Sequence, residues 1–579
     1  MSLMSFIIDP LTLADICGNF RDLAPIALIL IAFILPVTSK HLHPLEKAFN
    51  KLAQRKNLVI FLVALLTFIG SAIASWLFYF PIPTIHDEFG YLLTADTFAH
   101  GRLTNPTHPM WMHFETFHIL HQPTYASKYF PAQGFILAIG QVIGGHPVVG
   151  VWLAISLTAA AMCWMLQAWL PPRWALLGSI LFILKLGLFS YWSHSYWGGG
   201  VTATGAALVY GGLRRIVKKP TASSAIWFSL GLAILANSRP YEGLVISLPA
   251  IGYLIFWMLS KKSPSFTITF KQVVLPISLI LTLTAIFIGY YNFVVTGSPW
   301  ILPYRAYESI YGKLPHFFWE QPPAEIKYNH PVMRSFYRGW FLSMYTIQTA
   351  SIPSYLNGCL EKLFSIWEFY LMPIFTWPLI ALPFLLKNRW VRLALVSCLT
   401  LIIGMLLVVF SYGHFAAPGL CLLYFIVLQC LRRIYLWRWQ NRPVGKLLVW
   451  SVPIYCILLI ILPIALRENP ILFVTKNPWE PMRTLDSHWS FKREAFIAQL
   501  KKEPGQHLII MNYLPRHNVH NEWVFNEADI DNAKIVWARN MTPEKNCELI
   551  NYFHNRKVWL IEVGNDPNIA LVPYPLKCP

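Results

Sequence analysis

The chain has 579 residues, 56% of them hydrophobic and only 13% charged, with a net charge of +19 and a mean hydropathy of +0.48. Soluble globular domains run at about 25% charged residues, so half that share leaves too little polar side chain to wet a 66.5 kDa globule. The composition excludes an ordinary soluble enzyme, a disordered chain and a fibrous one, and it fits a polytopic helical membrane protein.

From the N-terminus onward, apolar runs predict spans at 23–38, 58–80, 147–170, 174–191, 199–217, 224–238, 241–259, 272–295, 363–386, 391–411, 415–434 and 447–466. The expected fold class is an α-helical polytopic membrane protein with about 11–13 transmembrane helices. No cleaved signal peptide is read at the start. The connecting segments sort into two sets. Segments 39–57, 171–173, 214–219, 261–271, 387–392 and 432–446 hold 21 Lys/Arg and one acid, Glu46, which is nearly the whole net charge. Lys and Arg stay on the cytoplasmic side during insertion. The basic balance therefore reads as topology, and no nucleic-acid partner is expected.

The second set is expected on the extracytoplasmic side of a cell (inner) membrane. It comprises a first outer loop at 81–146, turns near 192–198 and 237–241, a long outer loop at 296–362, and the tail from Arg467. Two domains follow: a transmembrane domain, 1–466, and a small extracytoplasmic α/β domain, 467–579. The tail carries 14 Lys/Arg against 13 Asp/Glu, as a solvated unit would. Strands are predicted at 507–511, 533–538 and 557–563, with a helix over 544–556. Nine cysteines with no CxxC pair give no metal-finger or redox signature. Cys547 and Cys578 either form a disulfide or remain separate thiols.

Channels and carriers place polar residues inside their spans; this chain places them on the outer face. The first outer loop opens with Pro81-Ile-Pro-Thr-Ile-His86-Asp87-Glu88-Phe-Gly-Tyr91. Adjacent carboxylates at a water–lipid boundary suit a base or a cation site. A helix N-terminus, whose dipole favours acids, is the alternative. Histidines recur through the loop, among them His86, His100, His108, His113, His118 and His121. Their spacing matches no standard zinc pattern, and interfacial hydrogen bonding is the plainer reading. Pro123-Thr-Tyr125-Ala-Ser-Lys128-Tyr129-Phe130-Pro131 offers Lys128 as a phosphate-binding point charge or as a snorkelling cation.

Together these features resemble the GT-C superfamily: the basic-in first half, the Asp-Glu pair after an early span, the outer loop with Lys-Tyr-x-Pro, and the C-terminal outer domain. GT-C proteins are multi-spanning glycosyltransferases that use polyprenyl-phosphate sugars. They include the protein O-mannosyltransferases and the aminoarabinose transferase of lipid A. The resemblance covers His86 to Gly243. It implies an enzyme, a hexosyl- or pentosyltransferase, that moves sugar from a polyprenyl-phosphate donor to a glycan, lipid or protein acceptor with inversion. It implies Asp87 as base or as ligand of an assisting divalent cation, with Glu88 beside it, and Lys128, Tyr129 and Pro131 as the donor-binding stretch. The family's double proline is Phe130-Pro131 here.

Further candidates come from the residues themselves. Lys185 lies inside the span 174–191, where a charge costs about 2.5–3.5 kcal/mol; it either meets a lipid phosphate or snorkels outward. Arg239, in the turn Asn237-Ser238-Arg239-Pro240, either forks a phosphate or pairs with Glu242. His194 is the polar candidate in Ser190–Gly200, whose three glycines could let backbone approach a ligand. Tyr304 and Arg305 in the long loop are further substrate contacts. Two other functions fit the same chain: a transporter or flippase of lipid-linked sugars, and an O-antigen ligase or polymerase, for which Arg305, Arg334, His316 and His330 would matter.

Overall fold

The computed structural model describes residues 10–34, 39–261, 263–466, 489–564 and 569–575. Among them, seven helices are long and apolar enough to cross a membrane: Lys56–Leu77, Val148–Trp169, Pro240–Leu259, Phe266–Thr296, Arg389–Leu407, Gly413–Tyr435 and Val444–Ala465. An eighth is counted if Ile352–Tyr370 and Met372–Leu385, which meet at 89°, form one span. The chain is a multi-pass helical membrane protein. The run at 199–217 folds as the helix Gly200–Lys218, and shorter apolar helices include Leu23–Ile34 and Ala222–Ala236. The run at 174–191 is helical only from Pro172 to Phe182 before it widens into a π-turn at Ile183–Gly187.

The two sets of loops lie at two ends of the helices. At the basic end, Glu46 accepts from Tyr435 Oη at 2.9 Å and pairs with Lys446 Nζ at 3.2 Å. Arg173 sits over the Tyr435 ring, and Arg214 over Trp390. At the other end, the Tyr196 N–H donates to Glu88, the Ala132 N–H to the Asn237 carbonyl, and the His118 N–H to Tyr307 Oη. Both turns and the long loop therefore converge on the first loop.

That first loop is itself structured. His86–Ala99 is a helix, and Pro131–Gly144 is a second, apolar one. Between them, β1 (Asn105–Pro106), β2 (Ile119–Leu120) and β3 (Thr124–Ser127) make a small antiparallel sheet in the order β1-β3-β2. The long loop also holds helices, Pro303–Tyr311 and the π-helix Ser335–Phe341, and it ends earlier than predicted. Ser351 caps the next helix by accepting from the Ser354 N–H, so helix begins at Ile352. Asn357, Glu361 and Lys362 hid that start by breaking the apolar run.

The C-terminal segment forms the helix Trp489–Lys502, the strands β4 (Gln506–Tyr513), β5 (Ile535–Arg539) and β6 (Arg556–Val563), the helix Pro543–Tyr552, and a short β7 (Val572–Pro573). The sheet order is β5-β4-β6-β7, parallel except at β7. Its apolar core is continuous with the first loop. Phe89 stacks on Phe525 at 3.9 Å, and Leu93, Phe114, Ile119 and Tyr125 join Trp489, Trp523 and Trp537. Cys547 is disulfide-bonded; Cys578 lies outside the described residues, as does the predicted boundary after 466.

Candidate active site

Asp87 and Glu88 occupy the first turn of the helix His86–Ala99, and their side chains do different things. Glu88 is fully buried. Its Oε2 accepts from the N–H groups of Thr84 at 2.7 Å and Ile85 at 3.1 Å, and its Oε1 from the Tyr196 N–H at 2.8 Å. Caps of this kind are worth roughly 0.5–2 kcal/mol. Burial pushes the Glu88 carboxyl up to about 7 against the opposing pull of those donors. Glu88 therefore fastens the helix start to the 190–199 segment. Its oxygens are committed to backbone, and no group of three His, Cys, Asp or Glu side chains converges as a metal site among the described residues. The residues present do not fit the divalent cation considered for Asp87 and Glu88.

Asp87 is half-buried and turns the other way, where its Oδ1 accepts from Tyr129 Oη at 2.5 Å. Helix and hairpin approach closely there because residue 90 is glycine. A Cβ on Gly90 would lie 3.0 Å from both Ser127 Oγ and Tyr129 Cδ2. Tyr91, one turn on, stacks on Tyr129 with centroids 4.8 Å apart.

Lys128 is buried. Its ammonium faces three rings, with Nζ 5.2 Å from the centroid of Tyr129, 4.7 Å from Tyr304 and 5.0 Å from Tyr307. Desolvated cation–π contacts are each worth about 2 kcal/mol. No protein oxygen accepts from the ammonium among the described residues. Burial lowers its pKa to about 8, although the charges of Asp87 and then Glu308 oppose that shift. The arrangement is a cationic socket with unused donors beside a carboxylate.

The hairpin sets this socket. Ile119 pairs with Ser127 and Leu120 with Ala126, which carries His118 and Lys128 to the open end, where the Lys128 N–H donates to the His118 carbonyl at 3.0 Å. His118 has φ of 66°, the left-handed region, at a cost of roughly 1–3 kcal/mol for a non-glycine residue.

Arg239 comes to the same end, because its turn is tied to the start of the helix Pro131–Gly144. Its guanidinium lies 3.9 Å from the Phe415 centroid, and its Nη1 is 3.7 Å from Glu242 Oε1, so the pairing with Glu242 is present. Arg239 and Asp87 pull the Tyr91 hydroxyl in opposite directions, a sign that both lie within electrostatic reach of it. Tyr412 also feels the Asp87 charge.

Three candidates stand apart. Lys185 Nζ faces Met372 Sδ at 2.7 Å, inside the helix packing. His194 Nδ1 bonds within its own turn, to Ser190 and Ser193. The glycines beside it serve packing, not ligand approach: a Cβ on Gly198 would meet Gln133 and one on Gly199 would meet Trp192. Arg305 is exposed and pairs with Glu308 at 2.8 Å, which also takes His316 at 2.6 Å. Tyr304 is part of the socket while its neighbour Arg305 is not. Tyr307, Tyr91, Tyr412 and His118 were not singled out from sequence as substrate contacts. The i, i+3 spacing of Tyr304 and Tyr307 after Pro303 was the available signal for one of them.

Three loop histidines dock the C-terminal segment. His86 Nε2–H donates to the His520 carbonyl at 3.0 Å, His108 Nε2 meets Asp531 at 3.1 Å, and His113 Nδ1–H donates to the Arg539 carbonyl at 3.1 Å. Arg539 donates to the Glu115 carbonyl and pairs with Glu522 at 2.6 Å, both fully buried.

The sequence matches no known family description and no curated protein. Among solved structures it is similar to ArnT from Cupriavidus metallidurans bound to undecaprenyl phosphate. That likeness has 11% identity and a TM-score of 0.44, over 89% of this chain and 97% of that one. It is also similar to the Archaeoglobus fulgidus oligosaccharyltransferase tethered with an acceptor peptide, at 12% identity and a TM-score of 0.40, over 87% of this chain and 68% of that one.

Proposed function

We propose that this protein transfers a sugar from a polyprenyl-phosphate donor to an acceptor hydroxyl at the extracytoplasmic membrane surface. The observation that carries the reading is the Lys128 socket: a buried ammonium with unused donors, next to an accessible carboxylate, at the end of the helices away from the basic loops. A phosphate monoester headgroup supplies the oxygens those donors lack. Arg239, on the same face, adds a second cation.

In this mechanism the acceptor oxygen attacks the anomeric carbon. The bond from that carbon to the phosphate oxygen breaks, and its electron pair stays on the phosphate. Lys128 and Arg239 stabilise the charge that grows there. Asp87 takes the acceptor proton, and Tyr129 Oη orients it for that purpose. Attack from the face opposite the leaving phosphate inverts the anomeric centre.

The test is turnover of purified protein with a panel of polyprenyl-phosphate sugars. Asp87→Asn keeps size and removes the base, so transfer is expected to fall about 10²–10⁴-fold with donor KM little changed. Wild-type turnover in that variant overturns Asp87 as base. No consumption of any donor by the native protein overturns the transferase reading.

A further inference from the structure

His118 combines two unfavourable features that its fold does not repay. Its backbone is left-handed, where glycine sits more easily. Its imidazole is nine-tenths buried, and Nδ1 is enclosed with no hydrogen-bond partner. Buried polar atoms are almost always satisfied, so an orphan of this kind calls for a reason.

The backbone of His118 already has its work. Its N–H donates to Tyr307 Oη at 2.8 Å, and its carbonyl accepts from Lys128. Glycine would provide both without strain. The ring therefore needs its own explanation. Its centroid lies 5.7 Å from Tyr129, 5.9 Å from His86 and 6.2 Å from Tyr307, which puts it against the wall of the Lys128 socket. Burial, and then the charge of Lys128, hold it neutral. A neutral imidazole carries one donor and one acceptor. It serves a hydroxyl, which both donates and accepts and so suits either tautomer.

We infer that the His118 imidazole hydrogen-bonds a hydroxyl of the transferred sugar and selects donors that carry it. The inference rests on the transferase reading above. A site built to bond a hydroxyl discriminates strongly against the analogue that lacks it, and His118 is a specificity-determining residue in that sense.

The experiment uses the full-length protein in nanodiscs, with the polyprenyl-phosphate sugar that the panel identifies and its single-position deoxy analogues. His118→Gly keeps the left-handed backbone and both backbone bonds while removing the ring. Its thermal midpoint is expected to equal or exceed the native one. Its kcat/KM for the full sugar is expected to fall at least tenfold, and discrimination against one deoxy analogue to collapse to near unity. His118→Asn restores part of both. Binding of sugar-free polyprenyl phosphate stays unchanged in His118→Gly and is lost in Lys128→Met. Native turnover and native deoxy discrimination in His118→Gly overturn the inference and leave the transferase reading standing. A native protein that consumes no donor removes the reading beneath it.

Discussion

Lys128 holds its charge where little water reaches it, and that makes it sensitive to pH in two opposite ways. Its folded pKa is lowered by burial to about 8 from 10.5. Between those values the unfolded chain binds more protons than the native one, so stability attributable to this residue rises with pH, by about 1.4 kcal/mol per unit. Anion binding runs the other way. Above pH 8 the ammonium is lost, and the donor KM is expected to climb about tenfold per pH unit. Comparison with Lys128→Met, by thermal unfolding and by KM from pH 7 to 10, isolates both slopes; a flat difference in each removes Lys128 as the anion site. At Gly90 the prediction is steric. Gly90→Ala places a methyl against Tyr129, and tight contacts of this kind cost roughly 1–3 kcal/mol when the neighbours shift. Loss of kcat with a raised donor KM is expected, because Tyr129 is both the partner of Asp87 and a ring of the Lys128 socket; native values of both count against the placement.

The helix His86–Ala99 is the element on which most of the outer surface depends. It carries Asp87 at its start, and its Asp96 accepts from the Ala528 N–H at 2.8 Å. Phe89 and Leu93 enter the core of the C-terminal sheet. The lock on the opposite side of that interface is the Arg539–Glu522 pair with its bond to Glu115. Arg539→Met leaves Glu522 as a buried unpaired charge, and about 3–5 kcal/mol is lost when such a pair is broken from one side. A lowered thermal midpoint and faster proteolysis at 489–575 are expected; native protease resistance counts against the lock. The sequence located the strands near 507–511, 533–538 and 557–563 within a few residues, because each is a short apolar run bounded by polar segments. Inside the first loop it offered a helix start at Asp87-Glu88 only as an alternative, and it missed the helix Pro131–Gly144. The reason shows at Glu88, which fixes the helix start through Tyr196, a partner 108 positions away. A residue's cap is local, but the reason for burying it is not.

At the scale of the molecule, charge counting sorted the loops correctly into two groups, since Glu46, Lys446, Arg173 and Tyr435 do meet at one end. The number of full spans was less legible. Apolar composition marks what avoids water, and it does not separate a helix that faces lipid from a short one buried among others. Asp87, Lys128, Tyr129, Tyr304 and Arg239 are brought to one face, whereas Lys185 and His194 were chosen for polarity in an apolar setting and are held by local packing. The sidedness is testable by impermeant thiol labelling of intact cells. Lys327→Cys, in the long loop, is expected to label from outside, and Lys261→Cys, in a basic segment, only after lysis. The reverse pattern would put Asp87 in the cytosol and end the proposed function.

The bond from His86 to the His520 carbonyl spans 434 positions of chain. Ribosomes add about 5–20 residues per second, so the first loop is made well before its partner exists. Until then the residue next to Asp87 lacks the contact that holds it. A half-made chain threaded into the bilayer thus carries the helix His86–Ala99 without this tether, which forms only once His520 has been made.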